Sequence, residues 1–153
     1  MAEEKINKKN RQGTENSNEL ALQNKIVIDA ENAILGRLAS YSAKQALQGK
    51  KIIIVNAEKA VISGNRKNIL ENYLQKRKFK KVKFPSQPEQ ILKRTIRGML
   101  SYKKGRGEAA LNNIMCYKGV PEEFKKEKKI KSGKEKKDLI KLEEVSSMLK
   151  YKK

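Results

Sequence analysis

The chain has 153 residues, enough for one domain with a modest hydrophobic core but not for two. Its 37 basic and 17 acidic side chains give a formal charge of +20, far more than solubility requires, so a polyanionic partner is indicated. It contains no run of about 18 apolar residues, and its polar start lacks the apolar stretch of a signal peptide. These features predict a soluble, cytoplasmic protein without a membrane partner.

The first predicted elements form a strand–helix–strand unit. The first 24 residues are mostly polar and carry almost no apolar side chain before Leu20, which predicts a disordered arm. A β-branched run at residues 25–30 is followed by a helix with apolar residues from Leu35 to Leu47, which ends before Gly49. A second β-branched run follows at residues 51–56. Because both runs are apolar on both faces, they predict a parallel sheet covered by helices, and therefore an α/β fold.

Two helices are predicted in the next segment. Ser63-Gly64-Asn65 offers capping side chains before a helix that ends in Lys76-Arg77-Lys78, and a basic loop follows from Phe79 to Pro85. Pro88 suits the first position of the next helix, which runs to Leu100.

The carboxyl-terminal third contains shorter elements. A short helix is predicted at residues 108–114, a strand at 115–117 and a lysine-rich linker at 122–137. A small strand and helix at 139–149 would then dock onto the core. The predicted division is a polar arm at 1–24, a core domain at 25–121, and a linker with docking elements at 122–153.

The basic excess is concentrated in one segment. Residues 66–106 carry 14 basic and 2 acidic side chains, so 12 of the 20 net charges fall within 41 residues. The alternatives, a lysine-biased composition or an evenly solvated surface, would spread the charge along the chain. A face that meets phosphate groups would concentrate it, because each neutralised phosphate releases condensed counterions. The distribution therefore favours a nucleic acid as the partner.

Residues for catalysis and cofactor binding are scarce. The chain has no histidine, which removes the commonest general base and metal ligand. No glycine-rich phosphate loop follows a strand. The only cysteine, Cys116, has no neighbouring zinc ligands, so a buried apolar thiol is favoured over a metal or redox site. We therefore expect no enzyme activity, cofactor, metal or small-molecule substrate.

The predicted helix at residues 88–100 is the strongest candidate for RNA binding. Its apolar residues share one face, and Lys93, Arg94 and Arg97 share the opposite face. A predicted basic glycine loop, 103–107, follows, in which glycines would let the backbone approach a sugar-phosphate chain. The alternative is a solvated charged face. Tyr102 could stack on an unpaired base or could equally be a partly buried ring.

Two helix starts add further candidates. Arg37 opposes the macrodipole in the first turn of its helix, which indicates a role beyond helix stability. Ser63-Gly64-Asn65-Arg66 combines backbone amides with an arginine, as in an anion site, although an ordinary cap is an equal alternative. The candidate RNA-binding residues are Arg37, Arg66, Lys67, Lys76, Arg77, Lys78, Lys93, Arg94, Arg97, Tyr102, Lys103, Lys104 and Arg106.

Five segments resemble the L-thirteen family of large-subunit ribosomal proteins, in its archaeal and eukaryotic branch. They are Val27-Ile28-Asp29-Ala30, Gly36-Arg37-Leu38-Ala39-Ser40, Val55-Asn56-Ala57-Glu58, Ser63-Gly64-Asn65-Arg66 and Arg94-Thr95-Ile96-Arg97-Gly98-Met99-Leu100. The resemblance covers roughly residues 26–121, and Tyr117-Lys118-Gly119-Val120-Pro121 is similar to the family's closing motif. Two departures are a shorter segment between Tyr73 and Pro88 and a serine at position 101, where proline is common.

The resemblance implies a three-layer α/β/α domain with a parallel sheet of about four strands. It implies a structural constituent of the large subunit that binds and stabilises large-subunit ribosomal RNA beside neighbouring ribosomal proteins, without catalysis. By position, its RNA-facing segments fall on Arg37, on Arg66 and on residues 93–106. The alternative function is a free RNA-binding regulator of translation.

Overall fold

The computed structural model describes residues 24–79, 84–125, 130–131 and 139–151. The predicted arm, up to residue 23, and most of the predicted linker lie outside these ranges. The described elements are β1 (Lys25–Asp29), α1 (Leu35–Leu47), β2 (Lys51–Val55), β3 (Val61–Ser63), α2 (Arg66–Phe79), α3 (Pro88–Met99), α4 (Gly105–Asn112), β4 (Ile114–Cys116), β5 (Ile130–Lys131), β6 (Leu139–Lys141) and α5 (Leu142–Tyr151). Single 3-10 turns lie at Ala57–Lys59 and Glu122–Phe124.

The main sheet is parallel, with the strand order β4-β2-β1-β5. Strands β1 and β2 pair along their whole length, with Ile26 opposite Ile52 and Ile28 opposite Ile54. Strand β5 adds two residues at the edge of β1. The predicted α/β fold with a parallel sheet of about four strands is confirmed.

The two faces of the sheet are covered differently. Ile28, Ile52 and Ile54 are fully buried in the main core, which includes apolar side chains of α1, α3 and α5. Because side chains alternate along a strand, the intervening Val27 and Ile53 lie on the opposite face. There they form a smaller cluster around Phe124, which belongs to a 3-10 turn. In the described part of the chain, this third layer is therefore thin.

A second, antiparallel sheet of two strands connects the end of the chain to the middle. Strand β3 pairs with β6, and Ile62 lies opposite Ile140. The backbone N–H of Leu142 donates to the carbonyl of Ala60 at 2.8 Å, and the side chains of Val145 and Leu149 join the main core. Strand β3 was missed in the sequence because its three residues become a strand only through pairing with residues far along the chain.

The boundaries around α4 correct two expectations. Residues 105–107, predicted as part of a loop, form the first turn of α4, which ends at Asn112 and not at Ile114. Strand β4 begins one residue earlier than predicted, at Ile114, and excludes Tyr117. Ile114 is fully buried and pairs with Ile52, so pairing with β2 sets the boundary of this strand.

Candidate nucleic-acid interface

Helix α3 separates its apolar and basic residues onto opposite sides. Pro88 occupies its first turn together with Glu89, whose negative charge suits the positive end of the helix dipole. On the inner side, Leu92 and Ile96 are fully buried. Lys93, Arg94 and Arg97 lie on the other side, where Lys93 and Arg97 are exposed and Arg94 is half-buried. Burial of the inner side therefore fixes the direction in which these cations point.

Both arginines of α3 lie over aromatic rings. The guanidinium carbon of Arg94 is 4.8 Å from the centroid of Phe84, and that of Arg97 is 5.0 Å from the centroid of Tyr102. A cation over the face of a ring is attracted by the ring quadrupole, which restricts the arginine conformation in advance of binding. The N–H groups at the edge of each guanidinium can still donate to a phosphate. Tyr102 itself is 41% exposed, whereas Phe84 is buried.

An aromatic pair connects α2 to this basic side of α3. The rings of Tyr73 and Phe84 meet edge to face, with centroids 6.0 Å apart. The ammonium of Lys76 lies 5.1 Å from the centroid of Tyr73, and Arg94 lies on Phe84. Lys76 is therefore brought to the surface that carries the α3 arginines, although 18 positions separate Lys76 from Arg94 in the sequence.

The residues after α3 are basic and exposed, but they do not form the glycine loop that the sequence indicates. Gly107 lies inside α4, and a Cβ there would be 2.2 Å from the carbonyl oxygen of Ser101. Close packing within the protein, and not an approach to a sugar-phosphate chain, explains this glycine. Lys103, Lys104 and Arg106 are exposed around the start of the helix. Lys104 is its N-cap residue.

Arg37 and Arg106 flank the junction of α1 with α3. Arg37 is exposed in the first turn of α1, one turn before Ser40, whose hydroxyl donates to the sulfur of Met99 at 3.2 Å. Residues three apart share a helix face, so Arg37 lies on the side of α1 that meets the end of α3. A guanidinium nitrogen of Arg106 is 3.5 Å from the carbonyl oxygen of Leu47.

Two arginines of α2 have partners within the chain. Arg66 is paired with the carboxylate of Glu144, and Arg77 donates to the carbonyl oxygen of Leu149. Both partners belong to α5. The side chain of Asn65 accepts the backbone N–H of Lys67 at 2.9 Å, as in an ordinary cap. Arg66 and Arg77 therefore have acceptors within the chain, whereas the side chains of Lys67 and Lys78 are exposed.

A groove of about 300 Å³ runs along the basic side of α3. It is lined by Pro85, Gln90, Lys93, Arg94, Arg97 and Leu111. Sequence reasoning missed three of these residues. Gln90 could have been found, because it stands one turn before Lys93 and Arg94 and two turns before Arg97, but Pro85 and Leu111 are brought there only by the fold.

Cys116 has the properties of a packed, unreactive thiol. It contacts the main core, and burial raises its pKa to about 12, an effect that nearby Lys93 only partly opposes. The thiol is therefore neutral at physiological pH. Within the described ranges, no three acidic, cysteine or histidine residues are grouped closely enough to hold a metal ion. The described helices also include none that is both long and apolar enough to cross a bilayer.

Comparison with known proteins identifies the family. The family described as ribosomal protein L13 matches residues 23–123, which is more than half of the chain. The chain belongs to the ribosomal protein L13 family. Among its relatives is the large ribosomal subunit protein uL13 of Methanosarcina barkeri, which is 54% identical over 104 residues, covering 65% of this chain and 74% of the relative.

Two further L13 relatives are also archaeal. The uL13 protein of Methanococcus maripaludis is 49% identical over 105 residues, covering 63% of this chain and 77% of the relative. That of Methanocaldococcus jannaschii is 48% identical over 112 residues, covering 68% and 82%. All the candidate RNA-binding residues lie within the segment that matches the L13 family, whereas α5, which binds Arg66 and Arg77, lies beyond it.

Proposed function

We propose that this L13 family chain is a structural constituent of the large ribosomal subunit, in which the basic side of α3 binds and stabilises ribosomal RNA. The role of the family is structural, and we propose no catalytic activity. The proposed site of action is the cytoplasmic ribosome, and the proposed partners are large-subunit RNA and neighbouring ribosomal proteins.

The observation that carries the proposal is the division of α3 into two sides. Ile96 is fully buried on one side, and Arg94 and Arg97 lie over aromatic rings on the other. The apolar side explains why the helix folds onto the sheet, but folding does not require three cations on the opposite side. Binding of RNA phosphates explains these three cations, because charge-assisted hydrogen bonds from guanidinium groups are among the strongest hydrogen bonds in proteins.

The surface around α3 extends this basic site. Lys76 joins it through the aromatic pair, and Lys103 and Lys104 follow α3 directly. Arg37 and Arg106 lie where α1 meets the end of α3. We therefore assign the RNA contacts to this group of residues. We regard Arg66 and Arg77 as residues that chiefly stabilise the packing of α5.

Sedimentation of a cell lysate through a sucrose gradient tests the proposed function. We expect nearly all of the protein in the large-subunit fraction, and its release when that fraction is treated with ribonuclease. A chain mostly at the top of the gradient would instead support a free regulator of translation. No contact among the described residues favours that alternative.

Binding to large-subunit RNA should also depend steeply on salt. Engagement of about 6–10 phosphates gives a slope of roughly −4 to −9 for log affinity against log salt concentration. Filter binding over a range of potassium chloride concentrations measures this slope. A flat response would exclude phosphate contacts as the main source of affinity.

A further inference from the structure

We propose that the groove along the basic side of α3 binds one unpaired nucleobase of the RNA. The inference rests on the proposed function and goes beyond it. It assigns to the groove a ligand that differs chemically from the phosphate groups bound by the surrounding cations.

The size of the groove suits a single base. Its volume of about 300 Å³ lies at the lower end of the range of roughly 300–1,000 Å³ for small-ligand sites. An RNA duplex cannot enter such a groove, and its own major groove is too narrow to be read by side chains. A base displaced from a loop or bulge has both the size and the freedom to enter.

The lining combines the chemical groups that an unpaired base requires. Pro85 and Leu111 are half-buried and supply apolar surface for the face of a base. The amide of Gln90 offers both a donor and an acceptor, which match the mixed edge of a base. Gln90, Lys93, Arg94 and Arg97 follow the spacing i, i+3, i+4 and i+7, so they share one face of α3.

The arginines provide the stacking element. Unpaired bases stack on aromatic rings and on arginine guanidinium planes. Arg97 lines the groove and also lies 5.0 Å from the centroid of Tyr102, so its plane is restrained before any base arrives. Stacking on an aromatic ring changes affinity by about 5- to 150-fold per base, and the guanidinium plane of Arg97 offers the same kind of contact.

The charge of the lining favours a nucleotide over a protein segment. Three of the six lining residues are cations, and none is acidic. A phosphate group alone would need no apolar surface, and an apolar side chain of a neighbouring protein would need no cations. A nucleotide, which joins a flat base to a charged phosphate, matches both the apolar and the cationic residues of the lining.

Chemical probing of intact large-subunit RNA bound to the full chain tests the proposal. Dimethyl sulfate modifies unpaired adenine and cytosine bases, and reagents that acylate the ribose report the remaining unpaired positions. Gln90→Leu removes the amide that would pair with the base edge, without changing the charge or adding an aromatic ring on which a base could stack. Gln75→Leu makes the same change at an exposed position of α2 outside the groove and serves as the matched control.

We expect the wild-type chain and the Gln75→Leu variant to protect one unpaired nucleotide that the Gln90→Leu variant leaves reactive. We also expect Gln90→Leu to reduce affinity by about 5- to 150-fold while the slope of the salt dependence stays unchanged, because the base edge loses its hydrogen bonds and the phosphate contacts remain. Protection of backbone positions alone, or base protection that survives Gln90→Leu, would overturn the base site while leaving the proposed function intact. Reduced retention of Gln90→Leu in assembled subunits, without loss of any base protection, would indicate a protein in the groove and would equally overturn the proposal.

Discussion

Helix α2 carries five basic residues and helix α3 carries three, and the arginines of the two helices have different partners. On α2, Arg66 and Arg77 bind acceptors on α5, a helix of the same chain. On α3, Arg94 and Arg97 rest on aromatic rings, and their hydrogen-bonding edges remain able to serve an external acceptor. We therefore expect the partner of a cation, and not its place in a basic run, to decide whether it stabilises the fold or binds a ligand.

The packing of the two helices explains the difference. The apolar residues of α2 are only partly buried against the core, so arginine contacts to α5 supplement a weak apolar interface. Ile91, Leu92 and Ile96 of α3 are almost completely buried, so apolar packing is the main contact that holds this helix on the core. Because apolar packing holds α3 in place, the cations on its opposite side are available to bind RNA.

The largest effect is expected from the buried side of α3. Replacing Ile96 by alanine removes a fully buried side chain and should lower the free energy of unfolding by about 2–5 kcal/mol, through lost burial and a cavity. Urea melting measures this loss. RNA affinity per folded molecule should stay unchanged, and a selective loss of affinity would place RNA contacts on the wrong side of the helix.

The close approach of Gly107 to Ser101, just after α3, should make stability sensitive to a side chain at position 107. In Gly107→Ala the new Cβ meets the carbonyl oxygen of Ser101, so we expect a loss of about 1–3 kcal/mol in stability. Gly105→Ala is the control, because no atom lies within 4 Å of a Cβ at that position. Thermal melting of both variants compares them, and equal stability would show that the packing around Gly107 is not as close as described.

On α2, the contact to the end of α5 predicts a moderate effect. Arg77→Ala leaves the carbonyl of Leu149 without its donor and should cost about 1–3 kcal/mol of stability. Lys78→Ala, at an exposed neighbouring position, is the control and should change stability little. Urea melting distinguishes the two variants, and equal melting midpoints would remove the structural role assigned to Arg77.

The smallest effect is expected at the other arginine of α2. The ion pair of Arg66 with Glu144 is largely exposed, and pairs of this kind contribute about 0–1 kcal/mol because solvent and salt screen them. Arg66→Ala should therefore lower the melting temperature only slightly, and less so in high salt. A loss as large as that of Arg77→Ala would show that the pair is better shielded than its exposure indicates.

Much of the fold was readable from the sequence because its signals are local. The β-branched runs at β1 and β2 predicted two buried parallel strands, and helical periodicity predicted α1 and α3. Strand β3 and the contact of Arg94 with the ring of Phe84 could not be predicted, since each joins residues that only the fold brings together. Gly107 was misread because a close internal contact and an approach to RNA both require a missing Cβ.

The sequence predicted the chemistry of the candidate site, but not which residues belong to it. Charge density and the two-sided pattern of α3 singled out Lys93, Arg94 and Arg97. The same reasoning could not separate Arg66 and Arg77 from them, because the acceptors on α5 lie more than 70 positions away in the chain. RNA binding by any of these five residues, those of α3 and those of α2 alike, remains a prediction.

One matched pair of double variants tests whether the arginines of α3 bind RNA and those of α2 stabilise the fold. Arg94→Ala with Arg97→Ala and Arg66→Ala with Arg77→Ala remove the same two charges from α3 and α2 respectively. Binding of each variant to large-subunit RNA is measured by filter binding over a range of salt concentrations and is corrected for the folded fraction.

We predict that the α3 variant stays folded, with a loss of no more than about 1–2 kcal/mol from its two ring contacts, binds RNA at least about tenfold more weakly, and has a salt slope shallower by about 1.4–1.8. The α2 variant should lose stability while its folded molecules keep both affinity and slope. If instead the α2 variant loses affinity, or the α3 variant unfolds while its folded molecules bind normally, the division of roles between the two helices is contradicted.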